Sequence, residues 1–236
     1  MKIQRLKSGF PLSEYAPTWN FPIGNAVWND YEKIDKITQW LINNENRILN
    51  EFIPRNDGGT GLGYDSVTSR FGRYNLFDFK DELPELNDLL TFLRKSYLEF
   101  IEEDISTVRM CNIICWFNII RNNDAIAKHS HGAESTAYLS GNMHMDNYHT
   151  KTIYSAPFES KDFIGLDNVK GGVTLFPSCL PHSTDIYRDS TPRVSIAFDI
   201  WLNHAVTPEL KEAFAFYPFI DNEIYEELAN ELPTKE

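Results

Sequence analysis

The spacing of apolar residues along this chain changes period once, near residue 105. Before that point Ile34, Ile37, Leu41, Ile48 and Phe52 recur at helical spacing up to Pro54, and Leu86, Leu89, Leu90, Leu93, Tyr97, Phe100 and Ile101 do so again over 84–104. After it, residues 108–120 form a β-branched and aromatic run, and shorter runs of the same kind follow at 138–145, 152–154, 173–176 and 194–200. Helical signals return only in T-P-E-L-K-E-A-F and over 221–232. Two helices, then many strands, then a short helical tail is the order of a mainly β protein with helices (α+β). We expect a double-stranded β-helix, the jelly-roll or cupin-like barrel, buttressed on one side by the N-terminal helices. With 236 residues and 42% apolar content, one core suffices. The expectation is a single domain over 1–236, with an arm and supporting helices at 1–105, a barrel core at 106–203 and a helical tail at 204–236.

Residues 1–29 are rich in Pro, Gly, Asn and aromatic residues, which suits an extended arm lying on the core. Asp30 is placed to cap the first helix, and Asn43–Asn44 is a point where that helix could be interrupted. Asn142, Asp146, Asn147, Gly165, Asp167, Asn168 and Gly171 read as turns between strands. The glycine-rich stretch 57–63 lacks the G-K-[ST] of a phosphate loop and reads as a turn-rich surface loop. Loops of this kind often border sites, so Arg70 and Arg73 beside it are substrate-contact candidates. The formal net charge of −12 disfavours nucleic-acid and anionic-membrane surfaces, leaving a small-molecule or peptide or protein substrate as the expected partner. Neither a signal peptide nor a span-length apolar segment is legible, so a cytoplasmic protein is expected. Cys111, Cys115 and Cys179 lack C-x-x-C spacing and read as reduced thiols.

Chemistry concentrates between residues 118 and 201. In the run from 193, Arg193, Ser195, Ala197 and Asp199 share one face of a strand, and Val194, Ile196, Phe198 and Ile200 the other. If the strand carrying His182 pairs antiparallel with it, a histidine, a guanidinium and a hydroxyl meet on one wall. Upstream, A-K-H-S-H-G-A-E-S places His129 and His131 two apart, so that on an extended strand both imidazoles can reach one metal. Asn118 is a polar residue inside an apolar run and needs a hydrogen-bonding partner; Tyr138 is either core or a cofactor contact. His144, His149 and His204 read as ordinary core or surface histidines.

His182 followed by Arg193-x-Ser195, the G-x-x-L-F-P-S-x-L-x-H spelling before them, and the strands around His129 resemble the iron(II)- and 2-oxoglutarate-dependent oxygenases, over about a third of the chain. Within that superfamily they are similar to a bacterial and phage group and to aspartyl/asparaginyl β-hydroxylase relatives. The resemblance implies Fe(2+) as cofactor, with 2-oxoglutarate and O2 as cosubstrates. It implies hydroxylation of a C–H bond in an amino-acid, peptide or other small substrate, with release of succinate and CO2. It assigns His129 and His182 to the metal, with His131 as third ligand by its spacing, and Arg193 and Ser195 to the cosubstrate, for which Asn118 and Tyr138 are further candidate contacts. The superfamily's facial triad carries Asp or Glu where this chain has His131, so Glu134 and Asp146 stand as alternative second ligands.

Two other readings use the same residues. A cupin-type three-histidine metalloenzyme, such as a thiol dioxygenase, would use His129, His131 and His182 but does not require Arg193-x-Ser195. A non-catalytic jelly-roll binding module would leave the histidines incidental and hold no iron.

Overall fold

The computed structural model describes residues 1–104, 108–132, 134, 136–157 and 161–229. Residues 1–29 lie on the core as expected but not as a single extended arm: β1 (Lys2–Lys7) and β2 (Asn20–Val27) pair as an antiparallel hairpin. Buried Leu6 and Ile23 anchor it, and Pro22 lies just before the stretch of β2 that pairs onward into the sheet, so its missing N–H costs no bond there.

Helix α1 (Tyr31–Glu51) opens on Asp30, whose carboxylate accepts from the Lys33 N–H at 3.3 Å. It runs through Asn43 and Asn44 without a break. Asn44 donates to the Trp40 carbonyl and Asn43 accepts from Gln39, each at 2.9 Å, so both amides are satisfied inside the helix. Ile34, Ile37, Leu41 and Ile48 are fully buried, each contributing about 1.5–3 kcal/mol. Helix α2 (Glu85–Asp104) lies alongside, tied by Lys33 to Asp88 and by Lys36 to Glu85.

The barrel strands follow: β3 (Cys111–Ile120), β4 (Leu139–His144), β5 (Tyr148–Ser155), β6 (Phe163–Asn168), β7 (Gly172–Pro177), β8 (His182–Thr184) and β9 (Arg193–Leu202). Then come α3 (Pro208–Ala213), β10 (Tyr217–Ile220) and α4 (Asn222–Ala229). They form two antiparallel sheets, a large one in the order β1-β2-β7-β4-β9-β3-β10 and a small one in the order β6-β5-β8. The small sheet is continued past β8 by the segment carrying His129, which exchanges both backbone hydrogen bonds with His182. This is the double-stranded β-helix, a jelly roll. One face of the large sheet, including Ile113, Cys115 and Phe117 of β3 and Val194, Ile196 and Phe198 of β9, belongs to the same core as the helices. The other face looks at the small sheet.

Three sequence expectations change. Gly165, Asp167 and Asn168 lie in β6, an edge strand exposed along most of its length, where one open side removes the need for apolar alternation. Asn142 is not a turn residue but sits in β4. The strands carrying His182 and Arg193 do not pair: β9 is hydrogen-bonded to β3 and β4, whereas β8 pairs with β5. Strand β8 belongs to the small sheet and β9 to the large one, so residues 185–192 cross the barrel and the two groups face each other across it. All three cysteines are free, Cys111 and Cys115 being buried. Among the described residues no helix is long and apolar enough to cross a membrane.

Candidate active site

Sheet register lays the site out in rows. Asn118, Ser195 and His144 are neighbours across β3, β9 and β4; Trp116, Ala197, Asn142, Thr174 and Asn25 form the next row; Ile114, Asp199, Ser140 and Phe176 the one after. Arg193 precedes the first row on the same face of β9. These side chains and the small sheet enclose a cavity of about 140 Å³, walled by His129, His131, His182, Asn118, Arg193, Ser195 and Asp199 among others.

At one end of it stand three imidazoles. His129, His131 and His182 each bring a ring nitrogen into a cluster whose donor atoms all lie within 4.8 Å of one another. The ring centroids are 4.4 Å apart for His129–His182, 5.1 Å for His131–His182 and 5.2 Å for His129–His131. Each Nδ1 is already engaged: His129 with the Ala127 carbonyl at 2.9 Å, His182 with the Leu180 carbonyl at 3.2 Å and His131 with Asp199 Oδ1 at 2.5 Å. Oxygen acceptors hold the hydrogen on all three Nδ1 atoms and leave the Nε2 lone pairs free, the tautomer a metal requires. Burial, and then the neighbouring His131, lower His129 to about 4, and the same causes with His129 added push His182 well below the ordinary imidazole range. Both rings are therefore neutral at pH 7 and competent as ligands.

The expected carboxylate of a facial triad appears one bond removed. Asp199 Oδ1 bonds His131 and also accepts the Ser140 hydroxyl at 2.6 Å. Neither alternative ligand joins the cluster: Glu134 is exposed, and exposed Asp146 accepts from the Asn147 N–H at the turn after β4. Asp199 could have been found from the sequence, since alternation puts it on the Arg193 face; nothing in the sequence tied it to His131.

The other end of the cavity holds Arg193, 1% exposed. Its Nε and Nη1 have no hydrogen-bond partner among the described residues. Tyr148 lies under the guanidinium with its ring centroid 5.9 Å away. Burial lowers Arg193 to about 10, which still leaves it cationic at neutral pH. An unpaired buried cation costs several kcal/mol unless an anion joins it. Asn118, on the same wall, accepts from the Thr68 hydroxyl at 2.6 Å.

Three expected contacts lie elsewhere. Tyr138 is absent from the cavity wall; its hydroxyl bonds that of Tyr97 at 2.9 Å and its ring packs on the helical core, because it precedes β4 at the helix-facing margin. Arg70 points away and binds the carbonyls of Leu49, Phe52, Tyr64 and Ser66, closing the end of α1 onto the following loop. Arg73 is exposed and outside the cavity wall. The residues that do reach the cavity from this region are Thr68, Phe71 and the rim residues Asp57, Gly58 and Thr60.

That rim is the glycine-rich loop. Gly58, Gly59, Gly61 and Gly63 all have positive φ, which lets the chain curl around Asp57. The Asp57 carboxylate takes the N–H groups of Gly59 and Gly63, each at 3.1 Å, and these hold it below the usual carboxylate range. Amides that a phosphate would need are thus spent on the loop's own carboxylate. The Thr60 carbonyl accepts from Ala127 at 2.7 Å and fastens the rim beside His129.

Residues 114–199 match the family described as "Putative 2OG-Fe(II) oxygenase". That family uses iron(II), 2-oxoglutarate and dioxygen. A prolyl-4-hydroxylase from Pseudomonas putida superposes with a TM-score of 0.52 at 9% identity, covering 77% of this chain and 92% of its own. HygX from Streptomyces hygroscopicus, solved with nickel and 2-oxoglutarate bound, gives 0.50 at 12% identity, covering 85% and 92%. SnoK, an alpha-ketoglutarate-dependent carbocyclase from nogalamycin biosynthesis, gives 0.51 at 9% identity, covering 86% and 90%. At these identities the likeness shows a shared fold. No curated protein matches the sequence.

Proposed function

We propose, taking as premise that residues 114–199 are the core of a 2OG-Fe(II) oxygenase, that the chain hydroxylates a C–H bond of a small molecule or of an amino-acid side chain in a peptide. The observation that carries this reading is the Arg193 guanidinium, two of whose nitrogens have no partner among the described residues, at the opposite end of one cavity from three Nε2-presenting histidines. The imidazoles present ligand atoms to a metal, and the guanidinium presents donors to an anion. A dicarboxylate that chelates metal at one end and is negative at the other suits both.

His129, His131 and His182 would hold the iron, pre-oriented by their Nδ1 acceptors. Asp199 returns to the site the negative charge that a third imidazole omits, acting through His131. Arg193 would grip the far carboxylate with two charge-assisted bonds and Ser195 would add a hydroxyl donor. Asn118, fixed by Thr68, orients the floor beneath them. When bound, iron(II) and 2-oxoglutarate supply dioxygen activation coupled to oxidative decarboxylation, giving succinate and CO2. Phe71 and Trp116 wall the cavity toward the Asp57 rim and keep water from the reacting end, and the substrate enters past that rim.

The three-histidine set by itself would also suit a thiol dioxygenase, but that reading leaves two buried Arg193 nitrogens without a hydrogen-bond partner among the described residues. Equilibrium dialysis under argon separates the two. The iron-loaded protein should retain about one 2-oxoglutarate per iron and no cysteine; retention of cysteine but not 2-oxoglutarate would move the site to the thiol dioxygenases. A second test addresses Asp199. Asp199→Asn keeps shape but loses the charge behind His131, and metal affinity should fall by about 10–100-fold, measured by competition with a chelator. Unchanged affinity would mean that Asp199 serves only to pack the strand.

A further inference from the structure

His144 lies on β4 opposite Ser195, is 5% exposed and shares the cavity wall with Arg193. The network behind it fixes its hydrogen. Asn168 donates through Nδ2 to the Thr150 hydroxyl at 2.9 Å, so its Oδ1 faces Thr152, whose hydroxyl donates to it at 2.8 Å. That hydroxyl has used its hydrogen and presents a lone pair to His144 Nε2, 3.5 Å away. Nε2 therefore carries the imidazole hydrogen, and Nδ1 is a bare lone pair with no partner among the described residues. Arg193 Nε and Nη1 are unpartnered in the same cavity. A carboxylate arriving at Arg193 brings its negative oxygens to that lone pair, and the repulsion becomes an attraction once a proton is taken up at Nδ1.

We infer that the far carboxylate of 2-oxoglutarate is gripped by Arg193 together with a doubly protonated His144, so that cosubstrate binding takes up about one proton. The inference rests on the 2-oxoglutarate reading of the cavity. Before the anion arrives, burial and the Arg193 charge keep His144 neutral. The other ionisable groups around the pair are Tyr148 and Tyr154 on β5 and Asp185 and Tyr187 in the crossing segment. Burial pushes the Tyr148 and Tyr154 hydroxyls far above their ordinary values, and Asp185 is held by the Lys151 N–H at 2.9 Å. His144 is thus the group placed to change charge. Behind it lies a second cavity of about 180 Å³, with Asn25, Thr174 and Asn168 in its wall.

The experiment is calorimetric titration of 2-oxoglutarate into the iron(II)-loaded protein under argon, repeated in buffers of different ionisation enthalpy, which counts protons. Wild type should take up about one proton more than His144→Gln, and its Kd should rise with pH by up to about tenfold per unit around neutrality while the variant's stays flat. Equal proton counts would overturn the two-cation grip and leave the oxygenase reading standing. Should the variant not fold, the wild-type slope decides: a Kd that does not rise with pH overturns the inference. If wild type binds no 2-oxoglutarate at all, the oxygenase reading falls and this inference with it.

Discussion

Replacing Arg193 by Met should reverse the order of stability between variant and wild type according to whether 2-oxoglutarate is present. Without the cosubstrate, wild type carries a guanidinium that is 1% exposed, with two nitrogens that have no hydrogen-bond partner among the described residues and the Tyr148 ring centroid 5.9 Å away. Exchanging a buried, uncompensated charge for an apolar side chain of similar length is neutral or stabilising, by roughly 1–4 kcal/mol in comparable cases. The iron-loaded Met variant should therefore melt at or above wild type. With 2-oxoglutarate under argon the comparison inverts, because the variant has lost the charged partner. Truncating one side of a buried charge pair costs roughly 2–5 kcal/mol, or about thirtyfold to several thousandfold in Kd. Iron content should be equal in both. A merely structural arginine predicts the opposite: the variant melts lower without ligand, and 2-oxoglutarate shifts both proteins equally.

The second large effect is expected at His182. Its ring is one corner of the triangle of imidazoles, 4.4 Å from His129 and 5.1 Å from His131, and packs on Phe176 and Tyr154. Anaerobic reconstitution should give about one iron per chain in wild type and nearly none in His182→Ala, since two remaining imidazoles make a poor iron site. Removing a buried ring also leaves a cavity, so His182→Gln serves as the variant that retains bulk, and it should lose iron as well. His149→Ala and His204→Ala, both at exposed positions, should keep it, as should Glu134→Ala and Asp146→Ala. Full iron content in both His182 variants would remove the histidine cluster from consideration as the metal centre.

The fold class was legible because it follows from local periodicity. The two amphipathic stripes, the shift to period two and the alternation after Arg193 are properties of short windows, and burial of one face leaves little freedom once the period is set. The hairpin at residues 1–29 and strand β6 were not legible. Both owe their strand state to a neighbouring edge, β7 for β2 and β5 for β6, and a polar, Gly- and Pro-containing sequence carries no trace of the partner that completes its hydrogen bonds.

The site divides along the same line. Identity and spacing alone determined which residue types were available: His129 and His131 two apart, His182, and Arg193 with Ser195, Ala197 and Asp199 on one face. Which of them meet was decided by tertiary structure. Register across β3, β9 and β4 sets His144 beside Ser195, and the crossing at residues 185–192 sets His182 opposite Arg193 instead of next to it. It also supplied Asp199 to His131 across 68 residues of chain, and curled the glycine-rich loop beside His129 while turning Arg70 inward to hold it. The physical reason is that a hydrogen-bond partner or a counter-ion is defined by distance in space, and sequence periodicity fixes only the face on which a side chain emerges.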